Sequence, residues 1–417
     1  MEPLIRKTYV FFRNARDWVL AQFFFGFIAV LKLFPADSAI WFVSEAAKGL
    51  GMWYPRTKLA RENLKLAFPE KSDEEIEQII PMKRFYDSFL LHPNEALKAD
   101  KTPYKVFTPF YKSLSWFWEA SSLEESKVNP NLKLITYPNS SLPSLFEMGF
   151  ERADLSEFFL KTPKQRLESF ESKLSDYVEN RDIFYKDGTS NLGVDLRFGT
   201  LSPRMIFNRY KKSNHPNVEL FIRQLFWREF FNYILYHFPK SENENWNNIE
   251  IPWNQNEEDF LAWCEGRTGV PIVDATMIHL NKTGMMHNRL RMIVASFLTK
   301  NLFIDWKRGE EYFASKLLDY EASSNIGSWQ WSASTGADAA PYFRVFNPYA
   351  QSEKFDKDGI FIKSVIPSLK DVDSKLFHKE GALSNGLFSY YIPPIVDIKL
   401  SRQKAIDSFK MAKNEKA

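Results

Sequence analysis

The stretch 323-SSNIGSWQWSASTGADAAPYF-343 places Trp329 and Trp331 two positions apart inside a run of Ser, Gly and Ala. Small side chains let a backbone come close to something large. The large object is either a neighbouring helix or a flat ligand lying against the indoles.

A chain of 417 residues has room for two or three domains and a large core. Thirty-eight Phe, 17 Tyr and 12 Trp make it aromatic-rich, which packing alone can also explain. The formal net charge is +3, so binding to nucleic acid has to come from a local basic patch. A single cysteine, Cys264, excludes an internal disulfide and any multi-cysteine zinc or iron–sulfur site, and fits a reducing cytosol. No histidine pair at ligand spacing, Ser-His-Asp set or Gly-x-Ser-x-Gly elbow is present, so neither a metal site nor a hydrolase is expected. Trp18 to Phe34 is apolar except for Gln22 and Lys32. It falls short of the roughly 20 residues of a spanning helix and lacks a cleavage site. An interfacial or buried helix is expected there.

Four zones follow from composition. Residues 1–81 are helical in pattern, with SDEEIEQII at 72–80 reading as a capped helix (Ser72 as cap, Glu75 three on). Residues 82–150, punctuated by Pro93, Pro103, Pro109, Pro130, Pro138 and Pro143, read as linker with short strands. Residues 151–396 are mostly helical, and the charged tail 397–417 reads as a frayed helix.

Besides the opening stretch, three others carry chemistry. In 186-KDGTSNLGVDLRFGTLSPRMIF-207, Asp187-Gly188 marks a turn and Thr189-Ser190 offers hydroxyls and N–H groups where a helix would begin. Such an end suits phosphate, although a plain capped turn has the same sequence. Ser202-Pro203 starts a second helix. On 221-FIRQLFWREFFNYILYHFP-239, Gln224, Trp227 and Arg228 share one helical face. An ion pair from Arg228 with Trp227 in the core is the plain alternative. In 283-TGMMHNRLRMIVASFL-298, His287, Asn288, Arg289, Arg291 and Met292 open a helix that turns apolar. Just before the opening stretch, Asp319 and Glu321 are either an acid/base pair or clamps for Arg291.

Together these stretches resemble the DNA photolyase/cryptochrome family, from about Phe85 to Val396. GTSNL, FWREF, GVPIVDATM, MHNRLRMIVASFL, WQWSASTGADAAPYFRVFNP and EKFDKDG all occur in the family's order. The implied fold is mainly α: an all-helical FAD-binding photolyase domain preceded by a truncated α/β remnant and a helical N-terminal segment. The implied cofactor is FAD and the implied partner is DNA carrying pyrimidine dimers, the dimer being flipped out of the stack. By the same resemblance, Tyr177, Thr189, Ser190, Leu192 and Arg228 would hold the cofactor's phosphates and ribityl chain. Asn288, Arg291, Asp319 and Glu321 would line the flavin, with Asp319 and Arg291 paired and Asn325 facing its N5. Trp227 and Trp331 would wall the flipped dimer, and Gln224, Asn288 and Met292 would contact its bases. Arg181, Arg289 and Arg344 would hold DNA phosphates. Trp329, Trp306 and Trp253 would relay electrons to the flavin, so the two indoles of the opening stretch would serve different sites. Ser323, Ser324, Gly327 and Ser328 would leave room for the flavin plane.

Several positions depart from the family pattern. Gln224 stands for a Glu, Met285 for an aromatic residue, Ile278 for an Arg and Gly193 for a phosphate-binding Ser. The missing hydroxyl would weaken cofactor binding by about 1 kcal/mol. Met292 stands where the (6-4) branch has His, which favours cyclobutane dimers. Residues 85–114 alone resemble the family's antenna-binding α/β domain, so an antenna chromophore is expected to be absent. Residues 1–80 instead resemble the start of bacterial lipid A acyltransferases, most clearly at 56-RTKLARENLKLAFPEKSDEEI-76. That family's His and Asp, four residues between them, have no counterpart: the fifth residue after each histidine is Leu97, Leu220, Glu242, Gly284, Met292 or Leu383. The expectation is a fusion near residue 81. It would be a monomeric bacterial cytoplasmic enzyme, with weak membrane association through residues 18–34 at most. A cryptochrome-like photosensor without repair activity and an inactive fusion stay open beside it.

Overall fold

The computed structural model describes residues 88–114, 161–385 and 391–414, with positions 65, 70, 72, 144, 146, 148 and 149. The chain divides into two units, residues 1–85 with 129–142, and residues 86–128 with 143–417. Nearly all described residues belong to the second. Segment 18–34 and, apart from Ser72, the helix expected over 72–80 lie outside the described residues.

The first described helix, α1 (Phe107–Ser113), has Pro109 in its first turn, where a missing N–H breaks no helical bond. Pro93 likewise opens a 3-10 turn, Pro93–Glu95. The short strands expected between 82 and 150 do not form among the described residues, where one isolated bridge joins Leu97 to Pro103. These prolines begin helical turns instead of separating strands.

Next come α2 (Pro163–Glu171), α3 (Tyr177–Asn180), α4 (Gly193–Phe198), α5 (Pro203–Tyr210) and the long α6 (Val218–His237). Ser202 caps α5 with Pro203 at the first position, as its sequence predicts. Then follow α7 (Glu257–Glu265), α8 (Pro271–Thr283) and α9 (Asn288–Ser296), the last capped by His287. A π turn (Phe297–Asn301) leads to α10 (Trp306–Lys316) and α11 (Ala322–Ala333). The chain closes with α12 (Pro348–Phe355), α13 (Ile360–Val365) and α14 (Ile398–Asn414).

Apolar faces gather into three cores. One centres on Trp263, Trp306 and Trp329, and a second packs α1 and α2 against α6 through Phe107, Phe110, Phe170 and Phe226. In the third, Ala405, Phe409 and Ala412 of α14 bury against Ile249, Ile251 and Phe303. The tail is therefore docked and not frayed, because spacings of four and three set these residues on one face. Lys300 of the π turn is buried beneath it. Its ammonium donates to the Ala333 carbonyl (3.1 Å) and the Ser334 hydroxyl (2.9 Å), and sits 3.7 Å from the centre of the Phe409 ring. No described helix is long and apolar enough to cross a membrane.

Candidate active site

Helix α11 packs between α6 and α10, and glycines set how closely. A Cβ at Gly327 would collide with the Phe231 ring of α6, and one at Gly309 of α10 would collide with the Trp329 indole. Ser323 is spent on Asn232 Oδ1, 2.7 Å away. Of the small residues expected to make room for a flavin, only Ser324 and Ser328 line the cavity described below. Gly327 and Ser323 serve the helix contact instead.

The two acidic residues ahead of α11 do different work. Glu321 is its N-cap, accepting the N–H groups of Ser323 (3.2 Å) and Ser324 (3.0 Å). Burial pushes its carboxyl up, but hydrogen bonds from Ser324 and Ser323 outweigh that and hold it below its ordinary value. Asp319 takes the Arg291 Nη2 at 2.8 and 2.7 Å, while Arg291 Nε donates to the Met286 carbonyl at 2.9 Å. One carboxylate clamps an arginine and the other caps a helix. They do not form an acid/base pair.

The loop 186–192 is braced internally. Lys173 pairs with Asp187 at 2.6 Å, Asn191 donates to Asp187 (3.0 Å) and Thr189 to Asn191 (3.1 Å). Helix α4 starts at Gly193, not at Thr189-Ser190, so those two residues stay in the loop. A Cβ at Gly193 would lie 2.7 Å from Asp319 Oδ2. Glycine here lets the loop press against the Arg291–Asp319 pair, which a serine would disturb.

These pieces surround a cavity of about 890 Å³, within the ~300–1,000 Å³ usual for sites of small organic ligands. The loop contributes Thr189, Ser190 and Leu192, the end of α3 contributes Arg181, and α6 contributes Gln224 and Trp227. Asn288, Arg289, Arg291 and Met292 come from α9. Asp319, Glu321, Asn325, Trp329 and Trp331 complete the wall. Four stretches far apart in sequence thus meet at one site.

Five expected residues lie outside this lining. Tyr177 is buried edge-on against Phe170 (5.5 Å) and Phe221 (6.0 Å), with the Arg181 guanidinium 5.4 Å from its ring centre. Arg228 turns from the face it shares in sequence with Gln224 and Trp227, and its Nη1 donates to the Ser88 carbonyl at 2.6 Å. Arg344 is exposed, 5.9 Å from the centre of the Phe346 ring. Trp306 is buried in α10, its indole N–H on Asn245 Oδ1 at 2.8 Å. Trp253 is half-buried, its ring centre 5.1 Å from that of Phe303 and 6.0 Å from that of Phe409.

Other residues that shape the site carry no local signal. Glu310 of α10 accepts the Asn325 amide through its backbone oxygen (3.3 Å) and its carboxylate (2.9 Å). Asp182, adjacent to Arg181, pairs with Arg289 at 2.9 Å. His287 is a cap, its Nδ1 accepting the Arg289 N–H at 3.1 Å; burial pushes it down to about 4, so it is neutral near pH 7. Among the described residues no cluster of His, Cys, Asp and Glu could hold a metal ion. Cys264 is buried, which pushes its thiol up to about 12 and makes it unreactive.

The donor set suits a long cofactor with an anionic middle and a flat end. Loop hydroxyls, the Arg291–Asp319 pair and the Asn325 amide all line the cavity. Arg289 Nε is buried without a hydrogen-bond partner. Fold and site define a helical flavoprotein of the photolyase/cryptochrome class. Residues 221–411 match the model of the FAD binding domain of DNA photolyase, and residues 7–106 match that of the bacterial lipid A biosynthesis acyltransferases. The deoxyribodipyrimidine photo-lyase of Alkalihalophilus pseudofirmus is 39% identical over 354 residues, covering 80% of this chain and 73% of that protein. The Escherichia coli protein of the same name is 36% identical over 356 residues, again covering 80% and 73%. A class III photolyase from Agrobacterium tumefaciens superposes with a TM-score of 0.70 at 31% identity, covering 85% of this chain and 83% of that one. A Synechocystis cryptochrome gives 0.68 at 27%, covering 80% and 74%. The chain belongs to the DNA photolyase family, and its cofactor is FAD.

Proposed function

We propose that this chain is a light-driven DNA-repair flavoenzyme that splits cyclobutane pyrimidine dimers. The observation that carries the reading is one cavity bearing three indoles, Trp227, Trp329 and Trp331, beside the Arg291–Asp319 pair and Asn325. Bound reduced FAD supplies the chemistry, a light-driven loan of one electron to the dimer. The chain's residues bind and orient. Thr189, Ser190 and Leu192 hold the cofactor's phosphates and ribityl chain, and Arg291, Asp319, Glu321 and Asn288 line its flavin. The Asn325 amide nitrogen donates to Glu310, which would leave the amide oxygen to face the flavin. Trp227 and Trp331 stack on the extruded bases, while Gln224, Asn288 and Met292 contact their edges. Arg181 and Arg289 form a basic rim for DNA phosphates, with the exposed Arg344 farther out.

Tyr177 and Arg228 act indirectly in this reading. Tyr177 carries Arg181 on its ring, and the charge of Arg228 helps keep Glu321 ionised. Trp329, Trp306 and Trp253 form the electron relay from cavity to surface, supported by Trp329 on the cavity wall and Trp253 at half exposure. The reading further takes the enzyme as monomeric and cytoplasmic, without an antenna chromophore, and touching membranes only through residues 18–34. Residues 1–81 are taken as a separate segment, supported by the division of the chain after residue 85, while the acyltransferase match begins at residue 7 and continues past that boundary to 106.

A visible spectrum of the purified chain, followed by illumination with dimer-containing DNA, tests the function. The expected result is a yellow, photoreducible protein that restores intact pyrimidines in light and not in darkness. A colourless protein would sink the reading. A yellow protein that leaves dimers intact would replace repair with light sensing.

A further inference from the structure

The Trp227 indole is not held by its own helix alone. The Phe107 ring of α1 stacks on it with centroids 3.6 Å apart and planes 7° from parallel. Phe230 meets both rings edge-on, at 5.9 Å from Trp227 and 5.8 Å from Phe107. Phe107 is completely buried, whereas Trp227 is half-buried and reaches the cavity. The Tyr111 ring lies nearly parallel to that of Phe107 at 5.7 Å, and the Arg223 guanidinium sits 5.5 Å from the centre of Phe107. The Phe107 N–H donates to Asp338 Oδ2 at 3.1 Å, and Asp338 follows α11, seven positions after Trp331. Phe231 meets the indole at 5.8 Å with planes tilted by 34°, so among the described residues Phe107 is the one ring stacked parallel on Trp227, and one hydrogen bond ties it to the segment that follows Trp329 and Trp331.

We propose that Phe107 is a positioning residue for damaged DNA, fixing the Trp227 plane and blocking one face so that extruded bases stack only on the other. The proposal rests on the reading that Trp227 walls the flipped dimer. A stacked indole has one rotamer and one open face, so less freedom is lost when a base pair lands on it. An indole with both faces open would rotate into the cavity and fill it. The segment around 107 therefore serves the helical domain whether or not any antenna is bound elsewhere.

A double-mutant cycle tests this with the full flavin-loaded chain and a dimer-containing oligonucleotide. Phe107→Leu keeps an apolar side chain and removes the ring, at the cost of some volume; Phe107→Met is a milder second variant should the first be unstable. Each is expected to weaken dimer-DNA binding roughly tenfold, the size of one lost stacking contact. Flavin content and affinity for undamaged DNA should not change, while the melting temperature falls modestly as loss of a buried ring requires. In a Trp227→Ala background the Phe107 substitutions should have no further effect on dimer affinity. Equal weakening in both backgrounds, or equal weakening for damaged and undamaged DNA, would overturn the proposal by making Phe107 merely structural. Weakening by Trp227→Ala with Phe107→Leu neutral would overturn it alone. If Trp227→Ala left dimer affinity intact, the reading of Trp227 and the proposal would fall together.

Discussion

Gly327 shows at the scale of one residue how a motif can be read correctly and its small residues assigned to the wrong neighbour. Its sequence context suggests space for a flavin, but the absent side chain admits the Phe231 ring. An alanine there would gain up to about 1 kcal/mol in helix propensity. Overpacking against Phe231 costs about 1–3 kcal/mol, so the sum is unfavourable. We expect Gly327→Ala to lower the denaturant midpoint; an unchanged or higher midpoint would show that α6 and α11 yield easily. The pairing of Asp319 with Arg291 was legible only through family resemblance, since spacing left two roles open. The grip of Glu310 on Asn325 was not legible, because it joins two helices and neither partner stands in an unusual local pattern.

Among elements, the segment 88–91 is the least predictable and the most firmly tied. Glu229 of α6 is buried and accepts the N–H groups of Leu90 (3.0 Å) and Leu91 (3.3 Å). Arg204 and Arg228 hold the carbonyls of Phe89 and Ser88. Burial raises the Glu229 carboxyl to about 7, against the opposing pull of those N–H groups. Since the folded value lies above the unfolded one, its contribution is full below about pH 4.5 and is lost as pH rises through about 7. Glu229→Gln keeps an acceptor and loses the titration. The stability difference, variant minus wild type, should therefore grow between pH 5 and 8, by up to about 3 kcal/mol. A difference that stays flat over that range, measured by urea unfolding, would remove Glu229 from the titrating set. Helix starts at Ser202-Pro203 were legible because caps are local. Prolines 93 and 109 misled, since a proline that ends one element also begins a helix.

Over the whole molecule, a net charge of +3 gives DNA no general pull, so the proposed phosphate contacts fall to a rim of arginines at the cavity. Arg181 stands on that rim with no carboxylate within ion-pair distance among the described residues, whereas Arg289 already faces Asp182. Arg181→Ala should lower affinity for damaged and undamaged DNA alike and reduce the slope of log affinity against log salt by about one. Arg289→Ala should change the slope less. Equal changes in slope would mean that Asp182 releases Arg289 when DNA binds. The helical class and the meeting of four stretches were legible because dense motifs survive in order. The docked last helix was not, since charged residues surround its five buried positions, Ile398, Ser401, Ala405, Phe409 and Ala412. That helix roofs the buried Lys300 ammonium, which burial brings down to about 7 and which holds the carbonyl end of α11. Shortening the gene before codon 398 would strip away the Phe409 ring and open this cation to water at the far end of the helix bearing Trp329 and Trp331. The last helix is in effect a latch for the cavity wall, and reporter tags belong beyond Asn414.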